Sequence, residues 1–264
     1  MSSNSITHWT GSRWKYSEMH NDHTDMKAVI VCGGPSLSKV DKNKLKGPGK
    51  FVLGVNNTYP YIKPDAWIGM DDARCYARSL VHEPFPKFYR GTYHSLKFQN
   101  TILKDVYNSH FISCKKGAKE DFLSYTKDTS DYFLWEKNVL SMSLQLVVAM
   151  GFKEIYLVGC DLSMDQGKYF NDVSLNEKES SENKRLYNTL FEWLSWLNKE
   201  VKKVGIKIYS SSPESKINKF LCYRSLDALN HSAEKLFLEE GELWHARTLH
   251  DIYEEDEKRW SEIC

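Results

Sequence analysis

One run constrains this chain more than any other: Ala28-Val29-Ile30-Val31-Cys32-Gly33-Gly34-Pro35-Ser36-Leu37. Consecutive apolar residues suit a strand covered on both faces, the condition of a parallel sheet. Gly33 and Gly34 then allow a positive φ or the close approach of another group. Pro35 carries a φ near the helical value and suits a first helical turn, and Ser36 and Ser38 are candidate caps. A strand, a glycine turn and a helix start together place backbone N–H groups where a phosphate can meet them. Gly33, Gly34, Pro35 and Ser36 are therefore candidate nucleotide contacts. A plain tight turn accounts for the same residues.

The pattern repeats along the chain. Phe51–Val55 is a second apolar strand ending in Asn56-Asn57, whose amides can read a base or a ribose by paired hydrogen bonds or can simply turn the chain. Ala66–Met70 ends in Asp71-Asp72. Those carboxylates suit a magnesium ion or a ligand hydroxyl, or they cap a helix predicted over 73–81. Lys153–Cys160 is the clearest strand and runs into Asp161-Leu162-Ser163, with Tyr169 in the loop beyond. Phe85–Tyr89, Ser109–Cys114 and Ile206–Tyr209 complete the strands. Asn138–Met150 is apolar on all sides and predicts a buried helix. Asn138 and Ser141 lie at its positive end, as capping groups or as a second phosphate contact. Leu186–Val204 has helical spacing, and 172–182 reads as a mobile polar connection. Strands alternating with helices predict an α/β fold with a mostly parallel sheet. Such a sheet would bring Gly33, Gly34, Asn56, Asp71 and Asp161 to the edge where open α/β sheets hold ligands.

Residues 1–26 show no period and read as an arm, 27–220 as the nucleotide-binding domain, with 83–135 as a lid insertion and 115–135 as its flap. Residues 221–264 read as a helical tail, an acidic amphipathic helix pair over 233–263 that offers a surface for a second subunit. The net charge of +1 over 264 residues gives no electrostatic case for nucleic acid. No apolar run reaches the roughly 18 residues of a membrane span, and the polar start lacks the apolar core of a signal peptide. The scattered cysteines include no CxxC pair, which predicts reduced thiols and a cytoplasmic protein. His82, His94 and His110 have no metal-binding spacing.

Val31-Cys32-Gly33-Gly34-Pro35-Ser36-Leu37, then Val55-Asn56-Asn57, then Gly151-Phe152-Lys153-Glu154-Ile155-Tyr156-Leu157-Val158-Gly159-Cys160-Asp161-Leu162 resemble the Rossmann-like bacterial sialyltransferases that use a CMP-sialic acid donor. They equally resemble the wider superfamily of the 6-hydroxymethylpterin diphosphokinases and motility accessory factors. The likeness covers roughly 27–72 and 138–215. It implies a Rossmann-like sheet, a nucleotide on the Gly33–Ser36 turn, Asn56 on the ribose or base, and Tyr169 beside the departing phosphate. The sialyltransferases carry a tyrosine where Ser163 stands, Thr-Ser-Gly where Asn138-Val139-Leu140 stand, and a histidine base that has no counterpart between Asp161 and Ser210. Asp71, Asp72 and Asp161 are then the candidate bases. The leading expectation is a nucleotide-dependent transferase of the glycosyltransferase kind, joining a CMP-sugar to a hydroxyl acceptor. The alternatives are a diphosphokinase using ATP with magnesium on Asp71 and Asp72, and a nucleotide-binding or interaction protein without catalysis.

Overall fold

The apolar run at 28–31 is a strand because both of its faces are covered. The computed structural model describes residues 2–18, 23, 25–98, 100–123, 132–134, 138–163, 169–170 and 177–230. Within them the run is β3 (Lys27–Val31), with Ala28 to Val31 fully buried. It stands inside a ten-stranded sheet with β1 (Ser2–Trp9), β2 (Trp14–Glu18), β4 (Lys50–Val55), β5 (Ala66–Gly69), β6 (Lys87–Arg90), β7 (Ser109–Ile112), β8 (Glu154–Val158), β9 (Lys207–Ser210) and β10 (Cys222–Tyr223). Their order across the sheet is β10-β9-β8-β3-β4-β5-β6-β7-β1-β2. Every pair from β10 to β7 is parallel, and β1 pairs antiparallel with both β7 and β2. The chain thus builds outward from β3 to β7, then returns to place β8 on the other side of β3. That reversal is the topological switch point where an open α/β sheet leaves a crevice.

Alternate residues of the central strands serve different layers. Ala28, Ile30, Leu53, Ile155 and Leu157 pack with two helices, α1 (Val139–Ala149) and α2 (Glu177–Lys203). Val29, Val31, Val52, Tyr156 and Val158 face the opposite layer, built from Leu37, Leu45, Ile62, Leu226 and Leu229 on turns and loops. Each fully buried leucine or valine contributes about 1.5–3 kcal/mol. Within α1, Gln145 is fully buried and acts like a piece of strand. Its amide donates to Leu134 O and accepts from Leu134 N–H, both at 2.7 Å.

Several expectations are corrected. Residues 2–18 are no arm: they form the hairpin β1–β2, and Ile6 at 0% exposure locks β1 into the core. The segment 83–135 is not set apart as a lid, because it supplies β6 and β7. Residues 124–131 and 135 of the expected flap lie outside the described residues, and 133–134 pairs with 114–115. The helix expected over 73–81 is two short 3-10 turns, Ala73–Cys75 and Arg78–His82. Between them Tyr76 adopts φ −109° and ψ 167° and drops its ring against Trp67, 4.8 Å away. The turn after Gly34 is likewise 3-10, Pro35–Lys39. The connection expected at 172–182 is helical from Glu177, since α2 begins well before its apolar stripe at Leu190, Trp193, Leu194, Leu197 and Val201. Of the helical tail expected at 221–264, Cys222–Tyr223 is instead the sheet strand β10 and Asp227–Asn230 a single helical turn, while 231–264 lie outside the described residues. No helix among the described residues is long and apolar enough to cross a membrane.

Candidate functional site

At the switch point lies a cavity of about 530 Å³. Four strand ends contribute to it: Cys32 to Pro35 after β3, Asn56 and Asn57 after β4, Met70 and Asp71 after β5, and Gly159 to Ser163 after β8. The start of α1 adds Asn138, Val139 and Leu140. The first turns of α2 overhang it with Asn183, Leu186 and Tyr187, and Tyr169 and Phe170 lie alongside. Of the sequence candidates, Gly33, Gly34, Pro35, Asn56, Asn57, Asp71, Asn138, Asp161, Ser163 and Tyr169 meet here. Ser36, Asp72 and Ser141 do not line the cavity.

The glycine turn is not an open phosphate cradle. Gly34 N–H donates to Gly159 O at 2.8 Å and Leu37 N–H to Gly34 O at 3.0 Å, while Ser36 N–H donates to Asp161 Oδ2 at 2.7 Å. Pro35 has no N–H to give. Ser36 Oγ shares a 2.9 Å hydrogen bond with Ser212 Oγ, which also accepts from Gly159 N–H at 3.1 Å. The turn is a clasp tying β3 to β8 and β9. Gly34 is glycine because a Cβ there would stand 2.5 Å from Gly159 O and 2.6 Å from Asp161 Oδ2. Gly159 is glycine because φ is +65° and a Cβ would meet Cys32 O at 2.2 Å. Asp161 keeps its second oxygen, Oδ1, buried and without a hydrogen-bond partner among the described residues. A buried carboxylate oxygen in that state is poised to accept from a ligand hydroxyl or amine.

Asn56 and Asp71 are joined by a residue that sequence reasoning missed. Tyr76 O–H donates to Asn56 Oδ1 at 3.2 Å and accepts from Asp71 N–H at 3.0 Å. Burial pushes the Tyr76 phenol well above its ordinary value, so it stays a donor. With its oxygen taken, the Asn56 amide offers the cavity its N–H end. Asp71 is exposed at the rim. Asp72, expected as a metal ligand or a cap, is a cap: it accepts from Arg74 N–H and from Arg74 Nε, both at 2.9 Å. Those hydrogen bonds hold its carboxyl low, at about 2. Ser141 is fully buried and belongs to the α1 cap. It donates its N–H to Asn138 Oδ1 at 2.7 Å and its hydroxyl to Asn138 O at 3.0 Å. Asp72 is thus engaged by Arg74, and one oxygen of Asp161 by Ser36 N–H. Among the described residues no three His, Cys, Asp or Glu side chains converge as a metal site.

Tyr169 has two partners on α2 that the sequence did not disclose. Asn183 Nδ2 donates to Tyr169 Oη at 3.2 Å, and the Tyr187 phenol lines the same cavity beside Tyr169. Burial first, then the neighbouring Tyr169, push the Tyr187 phenol well above its ordinary value. Asn183 was missed because 177–185 carries no apolar period and Asn183 faces the cavity rather than a core. Cys32 and Cys160 also line the cavity, side by side at the ends of the paired strands β3 and β8.

No protein-family model and no curated protein matches the sequence. Solved structures do. The sialyltransferase CstII from Campylobacter jejuni in complex with CMP-3FNeuAc is similar at 22% identity and a TM-score of 0.49, over 77% of this chain and 88% of that one. The same enzyme with cytidine-5'-monophosphate is similar at 18% and 0.47, over 77% and 86%. A MAf glycosyltransferase from Magnetospirillum magneticum AMB-1 is similar at 15% and 0.48, over 83% of this chain and 37% of that one. The likeness is one of fold.

Proposed function

We propose that this chain is a nucleotide-dependent transferase of the glycosyltransferase kind, moving a sugar from a CMP-sugar donor to an acceptor hydroxyl. The observation that carries the reading is the polarity of the switch-point cavity. One wall supplies donors for an anion: the N-terminus of the eleven-residue α1 and the Tyr169–Asn183–Tyr187 group. The floor supplies a buried acceptor, Asp161 Oδ1, and the opposite rim a carboxylate, Asp71.

In this reading the departing nucleotide phosphate lies against the donor wall. The helix N-terminus and protonated phenols stabilise charge that grows as the glycosidic bond breaks, a task for preorganised donors. Asp161 Oδ1 accepts from a nucleoside hydroxyl or amino group. Asp71 takes the proton from the acceptor hydroxyl as it attacks the sugar. The nucleotide phosphate belongs on the α1 side rather than on the Gly33–Ser36 turn, because Asp161 already occupies the Ser36 N–H. CMP is the first donor nucleotide to try, on the sequence resemblance of 31–37 and 151–162.

The test is a thermal-shift panel of CMP, CDP, UDP, GDP and ATP, each with and without magnesium, followed by donor hydrolysis. A ligand that binds only the folded state raises Tm. Stabilisation by CMP without magnesium, and donor hydrolysis that Asp71→Asn slows while CMP still binds, are the expected results. Stabilisation only by ATP with magnesium would replace the reading with phosphoryl transfer. Binding without donor turnover would leave a nucleotide-binding protein.

A further inference from the structure

Two thiols stand in the floor of the cavity that the transfer reaction does not use. Cys32 follows β3 and Cys160 follows Gly159 at the end of β8, and the two strands pair in register, Val31 opposite Val158. Cys32 N–H donates to Val158 O at 2.8 Å, which fixes the strand ends side by side. Ala28 and Ile30 point to the α1 layer, and strict alternation carries Cys32 to the same side. On β8 the same layer receives Ile155 and Leu157, so an uninterrupted strand would turn Cys160 away. The left-handed φ of Gly159 resets the alternation and brings Cys160 to the side of Cys32. The outcome is two thiols on neighbouring strand ends, in one layer and lining one cavity. Cys160 is 3% exposed, whereas Cys32 is partly exposed to the cavity.

We propose that Cys32 and Cys160 form a reactive dithiol that hydrogen peroxide entering the cavity oxidises reversibly to a disulfide. Cys32, the reachable sulfur, loses its proton and attacks one peroxide oxygen. The O–O bond breaks, a Cys32 sulfenic acid forms, and the released hydroxide takes up the proton as water. Cys160 then attacks the Cys32 sulfur, the S–O bond breaks, and a second water leaves with the Cys160 proton. Two electrons pass from the two thiols to the peroxide, which is reduced to two waters. The adjacent Cys32 and burial push the Cys160 thiol well up, which suits a resolving partner rather than the first nucleophile. Closing the bond draws the ends of β3 and β8 together beneath any bound ligand.

This chemistry does not rest on the transferase reading, and its test needs no donor. The full-length chain is treated with hydrogen peroxide, alkylated, digested and mapped by mass. The expected product joins the Cys32 and Cys160 peptides with the loss of two hydrogens, is reversed by dithiothreitol, and forms at doses that leave the exposed Cys75 and Cys222 unpaired. In Cys160→Ser the same dose should instead drive Cys32 on to sulfinic acid, which dithiothreitol does not restore. In Cys32→Ser, Cys160 should stay alkylatable only after unfolding. Thermal melts confirm that each variant is folded. The proposal is overturned if Cys32 and Cys160 both remain thiols at doses that consume Cys75, or if Cys32 reaches sulfinic acid as fast in the natural chain as in Cys160→Ser.

Discussion

The middle of the sheet and its β1–β2 edge are built on opposite terms. At the middle, β3 and β8 are covered on both faces, and their ends are clasped by hydrogen bonds that tolerate no added atom at Gly34 or Gly159. At the edge, β1 is held through one face. Ile6 is buried, while Trp14 on β2 is 40% exposed and packs edge-on against Trp9, His94 and Phe111. The contrast teaches where this fold keeps its precision: at the switch point, where backbone meets backbone, and not along its perimeter, where aromatic rings can shift.

The sharpest way to break that contrast is Gly159→Ala. The left-handed φ and the 2.2 Å approach to Cys32 O predict a loss of about 3–5 kcal/mol in denaturant unfolding. Gly33→Ala, whose Cβ would meet only the Phe170 ring at 3.5 Å, should cost under about 1 kcal/mol. Equal effects would remove the clasp from the account. Next, Ile6→Ala should cost about 2–4 kcal/mol and Trp14→Ala clearly less. If Ile6→Ala were silent, the hairpin would not belong to the cooperative fold. Tyr187→Phe removes one phenolic donor from the cavity wall and should slow donor hydrolysis about tenfold while stability holds.

The edge should also be the acid-sensitive part. His110 on β7 faces His8 on β1, stacks on Phe88, and hydrogen-bonds through Nε2 to Asn108 Oδ1. Burial, then the nearby His8 and Lys87, lower its pKa to about 4. The unfolded chain therefore takes up the proton first. The contribution of His110 is complete above about pH 6.5, declines as pH falls towards 4 and is level below that. Its ring is partly buried, and the loss is about 2–3 kcal/mol. In His110→Gln the stability–pH curve should flatten over that window. The smallest effect belongs to Asp72→Asn, which should leave nucleotide binding unchanged because the carboxylate serves Arg74. A loss of binding there would return Asp72 to the site.

The same contrast separates what the sequence disclosed from what it hid. β3, β4, β5 and β8 were legible because strands buried on both faces must be apolar throughout, and the convergence of Gly33, Asn56, Asp71 and Asp161 followed from their parallel order. The hairpin was hidden because a strand next to the sheet edge and covered on one face, such as Ser2–Trp9, needs few apolar residues. The helix expected at 73–81 failed because Tyr76 gains more from sealing Trp67 and bridging Asp71 to Asn56 than from continuing a helix. Composition predicted a glycine turn after β3. It held no sign that a carboxylate 125 positions away would claim the turn's N–H.

That separation in sequence has a consequence for how the chain is made. While it emerges from its N-terminus, β3 can pair with β4 almost at once, but its other side stays open until β8 is synthesised and folds. For over a hundred residues of elongation the most apolar strand presents an unpaired edge, the kind that invites mispairing between nascent chains. Chains stopped short of residue 158 should therefore be the form of this protein most prone to aggregate, and completion of β8 the step that ends the exposure.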